Sequence, residues 1–112
     1  MFRTDRFTSK IGELSLVADD SMCVQRNLDG KIAEKNGDIE TAIRLYEQNV
    51  SDRFTGSHPY NRLAIIYRKL KRYEDEKRVL LTAIDVYTHD TADPPILAKF
   101  RERLAKLEDK MR

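Results

Sequence analysis

The chain has no tryptophan, one cysteine, two histidines, three prolines and four glycines. The lone Cys23 excludes an intramolecular disulfide and suits a reducing compartment. With no histidine near it in sequence, it reads as a small, semi-buried apolar residue. His58 and His89 have no second His or Cys at metal-ligand spacing, so no metal site is expected. The scattered glycines form no phosphate-cradling loop, and no cofactor is expected. No stretch approaches the roughly 20 apolar residues of a membrane span. The first twenty residues lack the continuous apolar core of a signal peptide, so the expected location is cytoplasmic. A net charge of +2 is nearly balanced and does not by itself demand nucleic acid.

What is present is helical periodicity. Hydrophobic residues make 40% and charged residues 36% of the chain, a balance that suits one small helix-rich domain with thin core layers. The stretch 60–87 reads as two helices joined by a short turn. The first carries Tyr60, Leu63, Tyr67 and Leu70 on one face; the second carries Tyr73, Val79, Leu80, Ala83, Ile84 and Tyr87. Both sets step by three and four, the period of a helix with one buried stripe. Neither helix can bury its stripe alone.

The same unit recurs upstream. Asp19, Asp20 and Ser21 are N-cap types, and a helix opening there carries Val24, Leu28 and Ile32 toward a stop at Asn36–Gly37. Asp38 caps the next helix, with Ile39, Ala42, Ile43, Tyr46 and Val50 as its stripe. The polar run Ser51 to Ser57 ends it, Ser57 or His58 caps the third helix, and Pro59 fits that helix's first turn. Basic Lys71 and Arg72 favour the end of the third helix, and acidic Glu74, Asp75 and Glu76 favour the start of the fourth. Asp93 caps a last helix carrying Leu97, Phe100, Leu104, Leu107 and Met111, with Glu102 and Lys106 as an i,i+4 ion pair on its wet side. Residues 1–20 are expected to be a flexible start or a short helix, Ser9 to Ala18, packing on the first unit.

Gly37 and Asp38 precede Lys71 and Arg72 by 34 positions, and Gly30, Ala64 and Ala98 fall at successive intervals of 34, small residues at one helical phase that mark where two helices approach closely. A period of 34 with a helix–turn–helix unit marks one class of repeat. The chain thus resembles the tetratricopeptide-repeat family. In the second unit Tyr60, Leu63, Ala64, Tyr67, Leu80 and Ala83 match the family pattern, while Glu76 stands in place of Ala and Thr88 in place of Pro. In the first, Gly30, Ala42 and Tyr46 match, whereas Arg26, Asp29, Ala33, Asn49 and Phe54 do not. Leu97 and Ala98 begin a third, incomplete unit. The resemblance implies an all-α fold: antiparallel helix pairs stacked as a short right-handed superhelix, with repeats at about 21–51 and 58–88 and a C-terminal capping helix at about 94–110.

The resemblance also implies that the first helix of each pair lines a concave surface. Carried across, this offers Asn27, Lys31, Glu34 and Lys35 from the first unit and His58, Asn61, Arg62, Ile65, Arg68 and Lys69 from the second. The last helix adds Lys99, Glu102 and Arg103. Basic residues dominate this set in a nearly neutral chain. No catalytic constellation accompanies them, since Glu74–Glu76 is accounted for by its place in a first helical turn, and an enzyme is not expected. The leading expectation is a protein-interaction module taking an acidic or carboxylate-bearing protein or peptide segment, for which arginine forks and asparagine amides are suited. Two alternatives stand beside it. One is a self-associating scaffold, a homodimer through helix-to-helix packing. The other is nucleic-acid binding through the same strip, against which the core phase of Tyr60, Tyr67, Tyr73 and Tyr87 argues by leaving no stacking platform.

Overall fold

A computed structural model describes residues 20–112. The expectations for residues 1–19 lie outside the described part. The described residues fold as five α-helices without strands: α1 Asp20–Lys35, α2 Ile39–Ser51, α3 His58–Lys69, α4 Tyr73–His89 and α5 Pro94–Met111. Each helix packs on its chain neighbour, and α2 also touches α4.

Local chemistry sets the helix ends. Asp38 caps α2 by accepting from Thr41 N at 3.2 Å, and Asp93 caps α5 by accepting from Ile96 N at 3.3 Å. Ser57 occupies the N-cap position of α3, but its side chain makes no capping bond. His58 lies inside the helix, with its ring edge-on to Tyr46. The two turns 34 residues apart are conformational equivalents. Gly37 (φ 78°) and Lys71 (φ 59°) are both left-handed, and the caps that follow, Asp38 and Arg72, share nearly the same dihedral angles. In each turn the cap's N–H donates to the carbonyl five residues back, Ala33 or Tyr67, which closes the helix C-terminus.

Lys71 thus holds a conformation that costs an L-residue about 1–2 kcal/mol. Lys71→Gly removes that strain but loosens the unfolded chain by about 0.4–1 kcal/mol. The expected result is a net stabilisation of about 0.5–1 kcal/mol, read as a higher urea midpoint with an unchanged slope. A lower midpoint would contradict it.

The core is an unbroken cluster of Ala42, Tyr46, Val50, Tyr60, Leu63, Ala64, Ile66, Tyr67, Val79, Leu80, Ala83, Val86, Tyr87, Phe100 and Leu107, with Ala33 at its edge. Tyrosine hydroxyls tie this core to irregular backbone. Tyr60 donates to the carbonyl of Phe54 and Tyr87 to that of Thr55, each at 2.7 Å, so the α2–α3 loop is held from below. Arg53, itself left-handed at φ 55°, reaches from that loop to Asp85 and Asp90 on the far end of α4. Phe100 docks α5 by lying against the rings of Tyr60 and Tyr87 at centroid distances of 6.1 and 5.6 Å.

Three expected packing features differ. Leu70 follows α3 as its C-cap residue and is 48% exposed. Ala98 is exposed, with no described helix approaching it. The largest difference is in α1, where the expected stripe Val24, Leu28 and Ile32 points outward at 47–58% exposure. The inward face is Cys23, Gly30 and Ala33. Small residues win that face because α2 comes close: a Cβ on Gly30 would lie 2.5 Å from the Tyr46 ring. Polar chemistry completes the α1–α2 seam. Fully buried Asn49 donates to the carbonyl of Cys23 at 2.8 Å and to Asn27 Oδ1 at 2.9 Å, and it accepts from Arg26 at 3.1 Å.

Candidate functional site

Helix α3 is the centre of the site. Its residues Arg62, Ile65, Arg68 and Lys69 line two notches, one on each side of the helix, and Ile65 and Lys69 border both. The larger notch, about 400 Å³, lies between α3, α4 and α5. Its floor is Ala64 and Ile65, and its charged border is Arg68, Lys69, Glu76, Arg103 and Lys106. The smaller, about 120 Å³, lies toward α1 and α2 and adds Glu34, Ile39, Ile66 and Leu70.

The structure brings Arg62, Ile65, Arg68, Lys69 and Arg103 of the predicted set together along these notches. Lys31 approaches from α1 closely enough to act on His58, and Lys35 and Lys99 are exposed on α1 and α5 without bordering either notch. Asn61 is half-buried on α3. Asn27 is turned away into the α1–α2 seam, where Asn49 holds its carbonyl oxygen. Lys106 belongs to the site and was missed. The expected Glu102–Lys106 pair is not among the ion pairs of the described residues, and Lys106 borders the larger notch instead. Its spacing after Lys99 and Arg103 on one face of α5 was the available signal.

The two arginines are not free cations. Arg62 donates to both oxygens of Glu34 on α1, at 2.6 and 3.1 Å. Arg68 forks onto Glu76 of α4 through three contacts of 2.9–3.1 Å, and Glu76 is only 2% exposed. These pairs bind α1 to α3 and α3 to α4. By contrast Lys69, Arg103 and Lys106 pair with no carboxylate among the described residues. The site therefore has a neutralised inner layer and an uncompensated cationic border.

His58 and Glu34 make this region acid-sensitive. Burial depresses the His58 imidazolium, and Lys31 and Arg62 add to the effect, with Glu34 opposing them. Burial alone would raise Glu34, but the hydrogen bonds from Arg62 and from Tyr46, the latter at 2.7 Å, outweigh it and hold the carboxyl below its ordinary value. Both groups bind protons less readily folded than unfolded. Each contribution is therefore complete above the unfolded value and is lost as pH falls through the folded one. Stability should hold above about pH 6.5, decline as His58 protonates, and decline again below about pH 4.3. Urea midpoints of wild type and His58→Gln across pH 7.5 to 4 test this: the variant should lose the upper step alone, and identical profiles would exclude His58.

Other chemistry is sparse. Burial, the leading cause, raises the Cys23 thiol above its ordinary value, and the side chain is fully enclosed. Among the described residues no group of three or more His, Cys, Asp or Glu could hold a metal ion. Among the same residues no helix is long and apolar enough to cross a membrane. No family model, no curated protein and no solved structure matches the chain.

Proposed function

We propose that the chain is a protein-interaction module, a short tetratricopeptide-like stack whose α1–α3–α5 face takes an acidic segment of another protein. The observation that carries this reading is the division of charge at the larger notch. Glu76 is consumed by Arg68, and Lys69, Arg103 and Lys106 surround an apolar floor without a carboxylate of their own. A segment with an aliphatic or small aromatic side chain flanked by Asp or Glu is complementary to that arrangement. The apolar group covers Ala64 and Ile65, and the carboxylates meet the cationic border. Burial of Tyr46, Tyr60, Tyr67 and Tyr87 disfavours nucleic acid as the ligand, because unpaired bases need exposed rings to stack on. A buried free thiol fits a cytoplasmic setting.

The test is selection of a random twelve-residue peptide library on the immobilised full chain. Enrichment of Asp or Glu next to aliphatic residues is expected. Loss of those peptides by the combined Lys69→Glu, Arg103→Glu and Lys106→Glu variant, with its helical content unchanged, would support the site. Selected peptides without acidic bias, or peptides retained by the variant, would overturn it.

A further inference from the structure

The two notches share a wall. Ile65 and Lys69 lie one turn apart on α3 and border both, so they form a ridge with a depression on either side. The smaller depression takes its apolar lining from residues beside the two equivalent turns. Ile39 opens α2 two residues after left-handed Gly37, and Leu70 ends α3 immediately before left-handed Lys71. Ile66, almost wholly buried, and half-buried Ile65 complete that lining. The exposure of Leu70 thus has a place: its side chain is part of a concave apolar surface.

The two depressions differ in charge. At the smaller one Arg62 donates to both oxygens of Glu34, and the Tyr46 hydroxyl donates to the same carboxylate, so this pair is neutral as a unit. Lys69 alone on that border has no carboxylate among the described residues. At the larger notch Lys69 is joined by Arg103 and Lys106. An occupant that spans both is therefore apolar at one end and acidic at the other. Size sets a second limit. The smaller notch holds about 120 Å³, and a dry apolar cavity of about 150 Å³ accepts benzene. It fits one aliphatic side chain and excludes an indole. Distance sets a third. A helix with its side chains is about 10–12 Å across, and an extended chain covers that in three or four residues at about 3.3 Å each.

We infer that the two notches are subsites of one site. A partner segment crosses the Ile65–Lys69 ridge in extended form. It sets an aliphatic side chain into the smaller notch against Ile39, Ile66 and Leu70. Three or four residues away it sets its acid-flanked apolar side chain into the larger notch. The inference rests on the acidic-segment reading of the larger notch and adds to it a second anchor, a spacing and a charge polarity.

Fluorescence anisotropy on the full chain with defined peptides tests this. The probes are twelve-residue peptides of Gly and Ser that carry one Leu between two Asp. A second Leu is placed two to six residues from the first, on either side, and the control has Ala in its place. The expected result is an affinity about tenfold above the control at a separation of three or four on one side, the effect of burying one Leu side chain, with no gain at the other separations. Leu70→Ser, at an exposed position, should remove the gain and leave the affinity for the control unchanged, which also shows that the variant is folded. A gain at no separation, a gain that survives Leu70→Ser, or an equal loss for both peptides would overturn the second subsite. In those cases a control peptide that still binds, and is weakened by Lys69→Glu, leaves the reading of the larger notch standing. If no peptide of the series binds, that reading and this inference fail together.

Discussion

Tyr46→Ala should cost about 3–5 kcal/mol, the range for truncating a large buried aromatic. That is a large share of the roughly 5–15 kcal/mol available to a small domain. Tyr46 is fully buried at the junction of α1, α2 and α3. Its ring fills the space that Gly30 leaves, its hydroxyl donates to Glu34 at 2.7 Å, and its edge meets the His58 ring at 5.4 Å. The Gly30 contact can be isolated by a double-mutant cycle. Gly30→Ala alone drives a methyl into the ring at 2.5 Å, an overpacking cost of about 1–3 kcal/mol partly offset by about 1 kcal/mol of helix propensity. In the Tyr46→Ala background the clash is gone, and the same substitution should stabilise by up to about 1 kcal/mol. Urea unfolding of the four proteins measures the coupling. An equal effect of Gly30→Ala in both backgrounds would show that α1 and α2 can separate without cost. Tyr46→Phe should lose only about 1 kcal/mol, the hydroxyl's share.

Gly30 also shows what the sequence can reveal and what it cannot. The 34-residue recurrence of Gly30, Ala64 and Ala98 marked positions where neighbouring helices come close; Gly30 and Ala64 are buried, and Ala98 is not. The turns were legible for the same reason: Gly37, Asp38, Pro59 and Asp93 are residue types with strong local preferences, and local preferences survive folding. The facing of α1 was not legible. Val24, Leu28 and Ile32 form the more hydrophobic stripe, yet the helix turns Gly30 and Ala33 inward, because steric fit against Tyr46 decides the seam. Periodicity locates an apolar face but does not say which neighbour covers it. The site was half legible. Arg62, Ile65, Arg68, Lys69 and Arg103 were positions the resemblance implied, but the Glu34 and Glu76 partners that neutralise the arginines come from other helices. Glu76 stands where the pattern that the sequence resembles has alanine, and its carboxylate has a physical use here: it holds α3 to α4 through Arg68.

The contrast between neighbouring cations gives the sharpest test of how charge is divided in this site. Arg68→Glu places a second carboxylate against Glu76, which is almost wholly enclosed. Removing the partner of a buried charge costs about 3–5 kcal/mol. The Arg68 side chain is 37% exposed, so water can reach this pair and the expected loss is smaller, about 2–4 kcal/mol. Lys69→Glu, one residue on, breaks no ion pair and lies on the exposed surface. Its effect on stability should stay within about 0.5 kcal/mol. Binding at Lys69 should be lost without a loss of stability. For a selected acidic peptide measured by fluorescence anisotropy, Lys69→Glu should weaken affinity by about tenfold or more, as an attraction of one charge becomes a repulsion. Arg68→Glu should weaken it as well, through the fraction unfolded and through the unneutralised carboxylates it leaves at the notch, and pairing it with Glu76→Ala should recover most of the lost stability by removing the repulsion. Recovery is the decisive observation. If Glu76→Ala leaves Arg68→Glu as unstable as before, the Arg68–Glu76 pair is not what joins α3 to α4. If Lys69→Glu destabilises as much as Arg68→Glu, the two cations share one structural role and the cationic border loses its separate assignment to the partner.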